Sequence, residues 1–372
     1  MRVDHISRHT DASGGTELSA DIDGFRLWYR FPPGCAVYPR GDVFACAALL
    51  PAMRANENLA IVDAPVSPRL LAGIDRLQDV FHVWNPAFRR IRIEADLEPA
   101  PPAVSGTASF FSGGVDGCFT FLKHAEEIGA LVFIKGVDIQ VDNDVLFDQA
   151  LAANRAFAAA YGKTLLPVAT NIRRFLHPRQ AGWSISAGGG LASVAHALGW
   201  SRMYVAASHT YAELHPLGTH PMLDHLWSSE AVELVHDGAE ARRSDKLRRI
   251  AESKYALENL RVCWHDSGYN CGRCEKCLRT RIALHLLGLS TPTLAPLDSL
   301  APVRAMRVED DDALPHFMDN HRLAEETGHA ELAGIIGAQV RNYRLRRLLV
   351  DIDRQVAGGR LKQVWNAVRG RG

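Results

Sequence analysis

Residues 107–122 read TASFFSGGVDGCFTFL. An apolar run with strand character ends at Ser112. Glycines follow at Gly113, Gly114 and Gly117, and a helix is expected over 118–128. Glycines let backbone N–H groups converge on an anion, and a helix N-terminus adds partial positive charge there. Ser112 can donate its hydroxyl to a phosphate oxygen. Asp116 is a poor direct phosphate ligand, but a carboxylate there can hold a magnesium ion that bridges phosphates. The stretch lacks the Gly-Lys-Ser/Thr of a Walker A loop and is not a G-x-G-x-x-G dinucleotide turn. The bland alternative is a tight turn with no ligand.

Outward from this loop, strands alternate with helices. ALVFIKGV (130–137) reads as a second buried strand, and a long helix runs through DQALAANRAFAAAYG (148–162). TLLPVAT (164–170) is a third strand, GGGLASVAHALGW (188–200) opens a helix at a glycine cluster, and RMYVAAS (202–208) is a fourth strand. That alternation implies an α/β fold, a parallel sheet with helices on both faces and ligands at the carboxyl ends of its strands. Gly136 and Asp138 end the second strand. The Pro/Ala stretch 97–105 reads as a linker. Before it, residues 1–100 form a small α/β N-terminal domain: a strand-like run 17–31, helices at 41–55 and 67–83, a short strand 58–64 and a closing strand 89–97. The core domain spans 106–290, and 291–372 is a helical C-terminal extension.

Apolar residues make up 47% of the chain and charged ones 23%, as in globular proteins and unlike disordered ones. Lys+Arg and Asp+Glu both number 42, so a surface built to coat nucleic acid or an anionic membrane is not expected. The polar N-terminus carries no secretory signal pattern and no apolar run is long enough for a membrane span, so a cytoplasmic location without a membrane partner is expected. The Arg-rich stretch 341–372 reads as a solvated helix face, with an RNA or acidic-partner contact as the minor option.

Four of the seven cysteines crowd into VCWHDSGYNCGRCEKCLRT (262–280). Cys263, Cys271, Cys274 and Cys277 follow a C-x7-C-x2-C-x2-C spacing. Two overlapping C-x-x-C steps let thiolates wrap one ion, and the fourth cysteine completes a tetrahedron. Zinc and an iron–sulfur cluster both fit four thiolates. Cys35, Cys46 and Cys118 sit among apolar neighbours and read as buried small hydrophobes.

The strand–Ser-Gly-Gly-x-Asp–helix unit resembles the PP-loop of ATP pyrophosphatases. Together with the four-cysteine pattern it is similar to the 7-cyano-7-deazaguanine synthases of the queuosine-biosynthesis type, over about residues 108–288. The resemblance implies an adenine-nucleotide α-hydrolase-like fold, ATP and Mg²⁺ as reactants, and zinc on the four cysteines. It implies adenylation of a carboxylate or amide with release of pyrophosphate, followed by attack of ammonia or another amine. The substrate is then a small-molecule carboxylate, a 7-deazaguanine among the candidates, with a protein or nucleic-acid acceptor as an unsupported option. It places ATP on Phe111, Ser112, Gly113, Gly114, Val115, Asp116, Gly117, Cys118, Gly136 and Asp138, with Asp116, Ser112 and Lys246 in catalysis. Lys246, in RRSDKLRRI, has a solvated basic helix as its alternative. Substrate contacts are expected at Gly189, Ser208, His209 and Tyr211, with close helix packing as the alternative for 188–190. His215, His220 and His225 show no metal spacing. The pattern departs from the family at Gly117, where the loop usually has serine, and over 208–230. Extra segments flank the matching region. A sulfurtransferase working through Cys118, or a nucleotide-binding regulator without turnover, are the rivals. The sequence leaves the oligomeric state open, a homodimer included.

Overall fold

The computed structural model describes residues 1–102, 104–265 and 267–357. Residues 358–372, the end of the Arg-rich stretch, lie outside the described residues. Ten strands form one mostly parallel sheet. In chain order they are β1 (Arg2–Thr10), β2 (Thr16–Ile22), β3 (Phe25–Phe31), β4 (Leu59–Ile61), β5 (Ile93–Glu94), β6 (Val104–Phe110), β7 (Ile128–Lys135), β8 (Thr164–Thr170), β9 (Trp200–Ala206) and β10 (Glu233–Asp237). Their order across the sheet is β10-β9-β6-β7-β8-β3-β2-β1-β4-β5. The strands from β10 to β8 are all parallel, and β3, β2 and β1 join as antiparallel neighbours.

The helices are α1 (Gly41–Ala55), α2 (Pro68–Trp84), α3 (Val115–Lys123), α4 (Asp144–Ala160), α5 (Ile172–Leu176), α6 (Trp183–Leu198), α7 (Arg243–Ile250), α8 (Lys254–Glu258), α9 (Glu275–Leu286), α10 (Ala301–Ala305), α11 (Leu314–Glu326) and α12 (Ala330–Ala357). Residues Met1–Cys271 and Thr291–Thr293 make one compact unit, and Gly272–Ser290 with the described residues from Leu294 to Ala357 make another. In the second unit α11 packs on α9 and α12, and the Tyr343 hydroxyl donates to Asp311.

The Pro/Ala stretch 97–105, expected as a domain boundary, lies inside the first unit. The sheet runs straight through, because an unpaired β8 edge would leave a row of open backbone groups. β3 covers that edge. Tyr29 pairs with Thr170, the Thr170 hydroxyl donates to Trp28 O, and Asn171 bonds Trp28 N and Arg26 O. The strand-like run 17–31 is two strands, folded at Asp23 and Gly24, whose φ values of 47° and 78° are those of a tight hairpin. β1 and β10 carried no clear alternation and were not expected from the sequence. The helix expected to open at Gly188 begins at Trp183, so Gly188, Gly189 and Gly190 lie within it. A Cβ on Gly189 would come within 2.5 Å of Cys46 O in α1, so this glycine permits a close helix contact. α1 is buried nearly all round, which explains its near-unbroken apolar sequence.

Candidate functional site

The glycine loop joins β6 to α3 at the centre of the parallel strands, where carboxyl-end loops gather ligands. Gly114 is extended at the helix N-cap, so α3 begins at Val115, three residues before the expected start. Asp116 and Gly117 therefore stand in the first helical turn, where N–H groups have no intrahelical acceptor. Gly113 has φ +76°, and a Cβ there would approach Asn154 Oδ1 to 2.7 Å. No other residue fits both the angle and the space. Gly136, after β7, is held as tightly: φ is +93° and a Cβ would fall 1.9 Å from Thr170 O. Asp138 is half-buried two residues on.

Helix α3 is fixed at its far end by Asp237, the last residue of β10. Asp237 accepts from Thr120 Oγ1 at 2.9 Å and Lys123 Nζ at 2.8 Å. Helix α7 packs on α3 and brings two cations to the loop. Lys246 Nζ donates to Asp116 Oδ1 and Arg243 Nη1 to Asp116 Oδ2, each at 3.1 Å. Lys246 is buried, and its ammonium also donates to Ala207 O at 2.5 Å. A solvated basic helix does not describe this lysine. The expected Asp116 and Lys246 are brought together, whereas Arg243 was missed. Its signal was present: Arg243 and Lys246 are three apart, so they share one helix face. Ser112 is half-buried in the loop, and Phe111 and Val115 pack into the core. Cys118 is buried within α3, and burial, then the charge of Asp116, pushes its thiol well above the ordinary range. A thiol held neutral in this way is a poor nucleophile.

Ser208 and His209 leave the end of β9 and line a small pocket with His215, His220 and His236. The His209 and His215 rings meet edge-on at 4.5 Å. His236 Nδ1 lies 2.7 Å from Asp224 Oδ2, and burial, with the nearby His236 and His215, lowers His220 to about 4. Tyr211 is exposed, its N–H donating to Ala239 O. Gly189 is not part of this pocket; its nearest neighbours are Cys46 and Trp227.

The sulfurs of Cys263, Cys271, Cys274 and Cys277 all lie within 4.8 Å of one another. Cys274 caps α9, with its Sγ accepting from the Cys277 N–H, and Cys263 Sγ accepts from the His265 N–H at 3.3 Å. The left-handed φ of +71° at Gly272 turns the chain between the second and third cysteines. Four converging sulfurs, two of them accepting backbone N–H bonds, suit thiolates around a metal ion such as zinc. Asn270, between the first and second cysteines, accepts from the Val262 and Cys263 N–H groups and donates to Leu260 O and Thr293 O.

No helix among the described residues is long and apolar enough to cross a membrane. Comparison with protein-family models, curated proteins and solved structures finds no match to this chain in any of the three.

Proposed function

We propose that this chain is an ATP pyrophosphatase of the PP-loop type that activates a carboxylate or amide for attack by a nitrogen nucleophile. The observation that carries the reading is Asp116 in the first turn of α3, bonded to Lys246 and Arg243 directly after the loop of Ser112, Gly113 and Gly114. A glycine turn with no ligand has no need of buried cations drawn to its helix N-terminus. Burying an ammonium is costly, and sites of phosphate chemistry are where that cost is offset by function.

The loop N–H groups and the Ser112 hydroxyl hold the terminal phosphates of ATP. A substrate carboxylate oxygen attacks the α-phosphorus, its bond to the bridging oxygen breaks, and pyrophosphate leaves with the electron pair. Lys246 and Arg243 stabilise the charge that develops on the leaving group. Ammonia or another amine then attacks the activated carbonyl carbon and AMP departs, giving an amide. The Asp116 carboxylate would hold magnesium, which when bound would supply charge neutralisation. The pocket of Ser208 and His209 at the end of β9 takes the acceptor. The buried, neutral Cys118 thiol counts against sulfur transfer through that residue.

The test is mass spectrometry of products from the purified chain with Mg²⁺-ATP, ammonia and 7-carboxy-7-deazaguanine, then a panel of other carboxylates. AMP and pyrophosphate in equal amounts are expected, with loss of at least about a hundredfold in Lys246→Met, the scale of one oxyanion donor. ATP bound without any AMP, across all acceptors, would overturn the reading in favour of a regulator without turnover.

A further inference from the structure

Arg261 is 3% exposed, and neither its Nε nor its Nη2 has a hydrogen-bond partner among the described residues. Asn154, on α4, is 1% exposed, and both its Oδ1 and Nδ2 are likewise without partners. The two residues flank the same loop. The Arg261 N–H donates to Gly113 O at 2.9 Å, and its carbonyl lies 3.5 Å from where a Gly114 Cβ would stand. The Asn154 carboxamide Oδ1 lies 2.7 Å from where a Gly113 Cβ would stand.

Burying a guanidinium without a counter-charge is costly, and an unpaired buried carboxamide adds to that cost. Tyr269, the ionisable group that interacts with Arg261, does not supply that charge. Its hydroxyl donates to Asn259 O at 2.6 Å, as a protonated, uncharged phenol does. Water can bond a carboxamide but cannot neutralise a guanidinium. The missing partner is therefore an anion, and the open backbone N–H groups beside it, at the N-terminus of the nine-residue α3, favour the same sign.

We infer that Arg261 and Asn154 form the inner wall of a polyphosphate site beneath the glycine loop and hold the pyrophosphate half of the nucleotide. The inference rests on the PP-loop reading and extends it to two residues outside the loop. Arg261 forks onto phosphate oxygens and Asn154 donates through Nδ2. Lys246 and Arg243 bond Asp116 in the first turn of α3, adding two cations close to the loop.

The test is calorimetry and thermal melting with inorganic pyrophosphate as the probe. Wild type binds pyrophosphate and melts higher in its presence. Arg261→Met binds at least tenfold more weakly and loses that shift, yet melts no lower than wild type without ligand, because an unpaired buried charge has been removed. Arg261→Lys recovers part of the binding, and Asn154→Leu weakens it less than Arg261→Met does. Wild-type pyrophosphate affinity in Arg261→Met overturns the inference, as does no binding by wild type. A ligand-free melt that collapses in Arg261→Met and is rescued by lysine without any pyrophosphate response also overturns it, by making the residue structural. Production of AMP at the wild-type rate by Arg261→Met removes the residue while leaving the enzyme standing. Arginine-dependent pyrophosphate binding in a chain that never forms AMP keeps the site and removes the enzyme.

Discussion

Arg40, before α1, and Arg261, beside the glycine loop, are both buried arginines, but among the described residues only the first has its guanidinium matched. Arg40 Nε donates to Asp42 at 2.6 Å and Nη2 to Glu98 O at 2.8 Å. Asp42 in turn accepts from the Ser67 N–H at 2.9 Å, and Ser67 Oγ accepts from the Leu70 N–H at 3.0 Å. This closed network ties α1, the start of α2 and the chain after β5 together. Around Arg261 the backbone is bonded through its N–H to Gly113 O, but the side-chain Nε and Nη2 are left without partners among the described residues. Buried charge that is matched internally fixes a fold, and buried charge left open marks where something else must enter.

The largest perturbation expected is on the metal side. Arg261 lies two residues before Cys263, the first of the four converging thiols. Stripping the metal with a chelator, or changing Cys274 to serine, should release zinc. Structural zinc sites in small peptides bind with roughly 10 kcal/mol or more of apparent free energy, so the loss should be severe. Hydrogen exchange should speed up over 259–277 while α1 and β2 keep their protection. Full zinc retention in Cys274→Ser would remove that residue from the ligand set. Uniform loss of protection would show that the Arg40 region leans on the metal too.

Next in size is the closed network itself. Asp42→Ala leaves Arg40 buried without its carboxylate and the Ser67 N–H without an acceptor. Breaking a buried pair of this kind costs about 3–5 kcal/mol, read as a lower urea midpoint at unchanged slope. Arg261→Met in the same assay should cost nothing. Equal losses in the two variants would erase the distinction between a matched and an open arginine.

How far the sequence carried this reading depends on whether the signal was local. The alternation of β6 through β9 with helices was legible because buried parallel strands are short apolar runs between turns. The helix of α1 and the four-cysteine pattern were legible for the same reason, since each lies in a single stretch. The start of α3 was misplaced because Gly113 and Gly114 look like loop on both sides of an N-cap, and the φ of +76° belongs to Gly113 alone. Gly189 was assigned to substrate because a glycine at a helix–helix crossing and one at a ligand look alike until Cys46 is seen against it. Arg243 could have been found from its spacing to Lys246. Arg261 could not, because an arginine before a cysteine motif reads as surface, and the Gly113 and Gly114 it lies against come more than a hundred residues earlier in the chain.

The smallest effect expected is at Gly117, where the resembling enzymes carry serine. Gly117 lies in the first turn of α3 without a positive φ, and a Cβ there would meet Phe110 O and the Phe111 ring at 3.6 Å, ordinary contact distance. Gly117→Ser therefore fits without moving the loop. Replacing a helical glycine should raise stability by about 0.5 kcal/mol. If the anion sits on the α3 N-terminus as well as on Arg261, the new hydroxyl adds one hydrogen bond of about 1 kcal/mol, or roughly fivefold in pyrophosphate affinity. A stability gain with unchanged affinity would place the anion on the Arg261 and Asn154 side of the loop, beyond reach of the helix's first turn. A loss of affinity would mean that glycine is kept there because the phosphate already occupies the space a side chain would take.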